Sequence, residues 1–595
     1  VYKRQLLSSV LLENSASPLL HALETTDLGQ APSPLCGLED GMREMVFCCG
    51  IEGSEGARAD ALETMVLDVL EKVAAEGVSH ERLEAVLHQL ELHQREISGD
   101  SYPYGLSLIL QALGCATHYS DPIAVLNLEP VIAGMREKIE NPDYIRRLAR
   151  QLLLDNPHRV TLVMSPETEL SKQRSAAESA RLVEIKAALD QEAKEAVVQL
   201  AADLAARQQQ LDDESILPKV ELSDVPASLP DLDFTTSDKS GIPDTTYGQG
   251  TNGLVYQQVI SPLPPLTREQ LHTLPLYTGI LSELGLGAED YLEAQHRQSA
   301  TVGAINGFSS MRGAVQDEQQ VTGYFVLSSK ALLRNAGDQG RLMHDTLHTV
   351  RFDETARIRE LISQQRARRE QSITGNGHGL AMAAASAGMS PLAQLNHELS
   401  GLAGIRGLRA LDDRLRDPQA LTEFADQLRA VHQQVSAMPR QLLVVAEDHK
   451  VAQVAAMAGA IWGADQLPPQ AKAFELAPVR QRRCELWLTN TQVNFCARAY
   501  PTVPVQHPDA AALTVLGGFL RNGFLHRAIR EQGGAYGGGA SQDSGIAAFR
   551  FYSYRDPRLA ETLDDFDASI RWMLEAKHDY RSLEEALSLI HISEP

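Results

Sequence analysis

The tightest constraint on how this chain folds is one order of segments that occurs near both of its ends. Near the N-terminus, SPLLHALETTDLGQ leads through a turn to the strand-like EMVFCCGIEG, the helix-like ARADALETMVLDVLEKVAAEG and SHERLEAVLHQL. Near the C-terminus, NGFLHRAIREQGGAYG leads to the strand-like AAFRFYSYRD, the helix-like PRLAETLDDFDASIRWMLEA and DYRSLEEALSLI. Leu20 and His21 align with Leu525 and His526, and SHERLEAVL aligns with YRSLEEALS. The copies lie roughly 500 residues apart, far beyond a solenoid period. Two homologous units of mixed helix and strand are therefore expected, well separated along the chain. The first copy continues past residue 91 to the strand-like NPHRVTLVMSPE, whereas nothing comparable follows the second. A truncated second copy is the expectation.

Two regions lie between the copies. Residues 166–220 are rich in Ala, Glu, Lys and Gln and poor in bulky apolar side chains, which reads as a solvated pair of helices acting as a stiff linker. The proline-bearing ILPKVELSDVPASLPDLDF then leads into residues 240–475, where GLVYQQVIS and EQQVTGYFVLSS read as strands and SPLAQLNHELSGLAGIRGLRALDDRL as helical. The segment RQLLVVAED at 440–448 repeats the pattern of HRVTLVMSPE at 158–167, as if each half closes on a similar strand.

Residues 521–540, RNGFLHRAIREQGGAYGGGA, read as a site. Phe524, Leu525, Ala528 and Ile529 recur at helical spacing, which places Arg527 and Arg530 on the other side of a short helix ended by Gly533 and Gly534. Five glycines between 533 and 539 permit positive φ and close approach of another chain. Arg530 donates to a carbonyl or carboxylate and Tyr536 offers its hydroxyl, so peptide backbone suits the pair. The same letters also spell a helix C-cap and a glycine hairpin with no ligand.

Composition narrows the partners. A length of 595 residues with 43% apolar content supports several soluble domains with real cores. A net charge of −24 argues against nucleic acid and anionic membranes. Cys36, Cys48, Cys49, Cys115, Cys484 and Cys496 form neither a disulfide framework nor a paired zinc pattern, so a reducing compartment is expected. No segment reaches the ~18 continuous apolar residues of a membrane span. The opening VYKRQLLSSVLL imitates a signal sequence, but its apolar run is short and no small-residue cleavage site follows.

The succession TNGLVYQQV, LPLYTGILSELGLGAEDYLE, the helical linker, NPHRVTLV and REQGGAYGGG resembles the presequence-protease branch of the insulinase/pitrilysin zinc metallopeptidases. The resemblance covers residues 6–585. It implies an α+β fold of repeated domains, each an antiparallel sheet flanked by helices, in two halves joined by a helical hairpin around a chamber for unfolded peptides. It makes 6–165 a second domain, 166–235 the hinge hairpin, 236–475 a third domain and 476–585 an incomplete fourth. Residues 1–5 and 586–595 resemble translated sequencing adapters and are set apart. Members of the family carry an arginine and a tyrosine spaced as Arg530 and Tyr536 are, and use them to grip the scissile peptide once the chamber closes. Their zinc motif HxxEH occurs nowhere in these 595 residues. No catalytic residue and no metal ligand is therefore assigned here, and zinc is expected in the full-length parent alone. The expected partners are unstructured peptides, with no nucleic acid and no membrane. The parent is expected to be a monomer in a bacterial cytoplasm, or in an organellar matrix if eukaryotic. A non-catalytic peptide-binding or scaffold homologue and a naturally separate C-terminal half are the alternatives.

Imitations of metal and nucleotide motifs fail on spacing or context. His88 and His93 stand five apart and diverge around a helix. His21-Ala-Leu-Glu24 lacks a second histidine. His344 and His348 have the i, i+4 spacing of a zincin helix, but aspartate stands in place of its glutamate and no third ligand is evident nearby. Gly248-Gln-Gly250-Thr-Asn-Gly253 precedes a strand instead of a helix, and LGLGAEDY at 284–291 reads as a cap between helices.

Overall fold

In the computed structural model the described residues are 2–97, 103–209, 221–225, 228, 231–239, 241–465, 472 and 474–593. Much of the proline-bearing stretch at 216–234 lies outside them.

Residues 2–154 build a helical layer. Helix Tyr2–Leu12 takes in residues 2–5 and buries Leu6, Leu7, Val10 and Leu11 against Leu19, Leu23, Leu70, Leu87 and Ile145 from the helices that follow. The predicted strand EMVFCCGIEG is split into two short antiparallel pairings, Gly37–Glu39 with Val46–Cys48 and Ala31–Pro32 with Ile51–Glu52. Helices Ala59–Glu76 and His80–Arg95 come next, in the expected order. The predicted strand at 156–167 is extended chain that pairs with no sheet, leaving Val160 88% and Leu162 78% exposed. Alternating side chains specify one face to bury, but here the sheet is only two strands wide and offers no surface to cover that face. Local anchorage comes from Thr161, whose hydroxyl donates to Glu63 at 2.7 Å.

The linker is a helical hairpin, Leu170–Ala188 and Gln191–Gln209, and the first of these helices buries no residue. Asp190 caps the turn into the second through the Ala193 N–H at 2.8 Å.

The central unit carries a six-stranded sheet in the order Thr235–Ser237, Asp244–Gly248, Gln441–Ala446, Leu254–Pro262, Asp317–Leu332, Ala304–Ala314. Strand Gln441–Ala446 runs parallel to Asp244–Gly248 and antiparallel to Leu254–Pro262. Its alternation explains that position, since Leu442, Val444 and Ala446 are buried. Helices Arg268–Ile280, Ala336–His348, Thr355–Gly375, Pro418–Ser436 and Asp448–Trp462 supply the rest of the core. The glycine motif at 248–253 is the turn between two strands, with Asn252 and Gly253 both at positive φ. In LGLGAEDY, Asp290 caps the next helix by accepting from the N–H groups of Leu292 and Glu293, and Glu293 returns the contact.

The last unit places strand Ala548–Tyr554 between Ala497–Pro501 and Gly537–Asp543, packed on helices Ala510–Leu520, Arg521–Gln532 and Ala560–Glu575. The repeated order of helix, strands and two helices is thus present at both ends, with the wider sheet in the second copy. This unit docks on the central one: Ile546 and Ala548 join the central core, and the Gln506 N–H donates to the Val315 carbonyl at 2.8 Å.

Candidate functional site

Arg530 and Tyr536 are brought together by a helix that a glycine strand presses upon. Helix Arg521–Gln532 is wound in the wider π manner and buries Leu525 and Ile529 completely, leaving Arg527 and Arg530 exposed as their spacing predicts. Gly534, at φ +78°, closes the helix, and its N–H donates to the Arg530 carbonyl at 3.1 Å. Of the five glycines this one has positive φ; Gly533 stands at −81° and the other three lie in the strand. Gly538 serves close approach instead, since a Cβ there would meet the Ile529 side chain at 2.7 Å.

The Tyr536 N–H donates to the Tyr554 carbonyl at 3.1 Å, which fixes the backbone, while the side chain stands 65% exposed. The Arg530 guanidinium lies 5.8 Å from the centre of the Tyr536 ring, so the two side chains hold one another in a cation–π contact on an open surface. Both polar ends remain available to a ligand.

Three neighbours extend this surface, and none was singled out from the sequence. Tyr554 meets Tyr536 edge-on at 5.4 Å, and Arg555 lies 5.3 Å from the Tyr554 ring. Arg555 has φ +49°, a conformation L side chains rarely adopt, and it redirects the chain as the strand ends. His378, from helix Gly377–Ser386 of the central unit, meets Tyr554 at 4.8 Å. Burial holds its imidazole below the ordinary pKa, and its Nδ1 is buried without a hydrogen-bond partner. The alternating aromatics of AAFRFYSYRD were a signal for Tyr554; His378 left no local one.

The histidine imitations resolve differently. His88 is a core residue: its Nδ1 lies 2.9 Å from the Ser299 carbonyl and its Nε2 3.3 Å from the Asn335 amide. Glu91 beside it is held by Arg334, Arg136 and Arg95, and the hydrogen bond from Arg334 leads in pushing its carboxyl down to about 2. His93 points away to solvent.

The reading that His344 and His348 lack a third ligand needs correction. Helix Ala336–His348 packs so closely on Asp448–Trp462 that a Cβ on Gly340 would meet the Ile461 side chain at 2.8 Å. That packing carries Asp465, just past the second helix, to both imidazoles. The His344 Nε2 is 3.3 Å and the His348 Nε2 3.1 Å from its two oxygens. Sequence proximity could not show this, because Asp465 lies 117 residues beyond His348. The Arg440 guanidinium also pairs with Asp465 and stacks 5.3 Å over Trp462. Asp345, in the zincin glutamate position, is occupied by Arg297 at 2.9 Å.

Two family profiles match this sequence: a domain associated with subfamily C of the M16 peptidases over residues 164–411, and the PreP C-terminal domain over residues 484–588. The chain belongs to the presequence-protease group of the M16 peptidases. It is 28% identical over 615 residues to the mitochondrial presequence protease of Xenopus tropicalis and 26% identical over 617 residues to that of Danio rerio. In both cases 98% of this chain and 59% of the relative are aligned. Presequence protease 1, chloroplastic/mitochondrial, of Arabidopsis thaliana is 26% identical over 591 residues, with 54% of its length covered. The chain therefore spans somewhat more than half the length of these relatives.

Proposed function

We propose that this chain is the substrate-gripping part of a zinc metalloendopeptidase that degrades unstructured oligopeptides in a closed chamber. The observation that supports this most is the Arg530–Tyr536 pair, exposed, in mutual contact and braced from behind by the Gly538–Ile529 packing. An extended peptide laid across the two would accept hydrogen bonds on its carbonyl oxygens from the Arg530 guanidinium and the Tyr536 hydroxyl. Preformed donors of this kind stabilise negative charge as it develops on a carbonyl oxygen, and they need no rearrangement at the moment of reaction.

The residues present do not fit the family's zinc centre. HxxEH does not occur, and the one grouping of potential ligands among the described residues has its acid engaged by Arg440 and Asp345 engaged by Arg297. Zinc in the parent is thus assigned to sequence outside these residues, and no catalytic step is assigned to this chain. The net charge of −24 supports peptide over nucleic-acid partners, and no described helix is long and apolar enough to cross a membrane. The relatives' names speak for an organellar matrix if the parent is eukaryotic; a bacterial cytoplasm is the proposal otherwise.

Arg530→Ala and Tyr536→Phe in the full-length parent test the reading. Each should lower cleavage of an unstructured peptide while zinc content stays constant, and unchanged turnover in both would refute the grip. By itself the 595-residue chain should not hydrolyse a fluorogenic peptide.

A further inference from the structure

We propose that His344, His348 and Asp465 form a binding site for a divalent transition-metal cation of the zinc, cobalt or nickel kind. Three facts of placement carry the proposal. The donor atoms of the three side chains all lie within 4.8 Å of one another. The two imidazoles are i, i+4 neighbours with ring centres 4.1 Å apart, so their Nε2 atoms converge on one point beside the helix. The Nε2 to oxygen separations of 3.3 and 3.1 Å match those between adjacent ligands in a tetrahedral shell with bonds of about 2.1 Å. A cation can therefore be accepted with little movement of the donors. Two imidazoles and one carboxylate are also a donor set that suits zinc and its neighbours better than calcium or magnesium.

The surroundings support the same reading. His348 is in the last turn of its helix, where the exposed carbonyls favour positive charge. That charge is now supplied by Arg440, whose guanidinium touches Asp465 and lies 3.2 Å from the His348 Nε2. Arg440 is also anchored to the Ser436 carbonyl at 2.7 Å, so it keeps one strong partner if it releases the carboxylate. Two buried donors beside the cluster, the Arg440 Nε and the Trp462 Nε1, have no acceptor. A water or anion on the metal's open position is the kind of acceptor this corner lacks. Arg440 and the metal thus compete for one carboxylate. With Asp345 paired to Arg297, no free carboxylate stands next to His344 to activate such a water, so the site would staple helix Ala336–His348 to the segment after Trp462 without hydrolysing peptides.

The test is a titration of the chelator-treated 595-residue chain with Co²⁺, read by visible absorption, and with Zn²⁺, read by calorimetry. One saturable site per chain is expected, with the absorption of tetrahedral cobalt. His344→Gln and His348→Gln, which keep a hydrogen-bond donor for Asp465, should each abolish it while leaving the thermal midpoint near that of the parent chain. Arg440→Met, by removing the competing cation, should tighten binding. Absence of saturable binding in both the parent chain and Arg440→Met overturns the proposal, as does binding that survives in both glutamine variants. If Arg440→Met proves unstable, the two glutamine variants decide by themselves.

Discussion

Gly538 shows how a single atom sets the grip. Its missing Cβ leaves room for Ile529, and Ile529 fixes the helix from which Arg530 projects. Gly538→Ala should therefore destabilise the last unit by about 1–3 kcal/mol through overpacking, measured by urea unfolding, and should weaken peptide binding by moving Arg530. Gly537, with open space where a Cβ would stand, is the matched control and should tolerate alanine far better. Arg530 and Tyr536 were legible in the sequence because six residues of local chain determine their meeting. Tyr554, His378 and Asp465 were not, because strand register and helix packing bring them to their partners, and a linear pattern encodes neither.

At the scale of elements, pattern was reliable where a partner exists to satisfy it. Strand Gln441–Ala446 and the segment at 158–167 have similar alternation, yet only the first lies between two strands and becomes one. Alternation names the side to be buried; the sheet that buries it comes from elsewhere in the fold. Caps are more local and were read correctly at Asp290, which holds two N–H groups of the helix Tyr291–Thr301. Asp290→Ala should cost about 1 kcal/mol, within the 0.5–2 range for lost N-caps, and thermal unfolding should show it as a single, slightly lowered transition. A loss near zero would mean that Glu354, which accepts from the Tyr291 N–H at 3.1 Å, carries the helix start by itself.

At the scale of the whole molecule, the N-terminal helical layer and the central unit are joined by charges withdrawn from solvent. Arg357, its side chain 2% exposed, bridges Glu24 of the first to Glu283 and Glu360 of the second. Glu91 of the first accepts from Arg334 of the second, and the Asn14 amide donates to the Ser299 hydroxyl across the same junction at 2.8 Å. Pairs this buried resist salt better than surface pairs do, but acid reaches them. With its carboxyl at about 2 in the folded chain and near 4.5 when unfolded, Glu91 adds stability in full above pH 4.5. That contribution should fall away as pH drops from there towards 2, and Glu91→Gln should flatten this part of a stability-against-pH curve.

The exposed hairpin at 170–209 has a practical consequence once this junction is taken into account. The covalent crossing between the two units runs through the segment with the fewest anchors, while their mutual hold lies elsewhere. A protease that nicks the hairpin should yield two bands on a denaturing gel and one unchanged peak in size-exclusion chromatography. By the same logic, the polypeptides on either side of the nick should reassemble when expressed separately, which would make this chain a natural candidate for split-protein complementation.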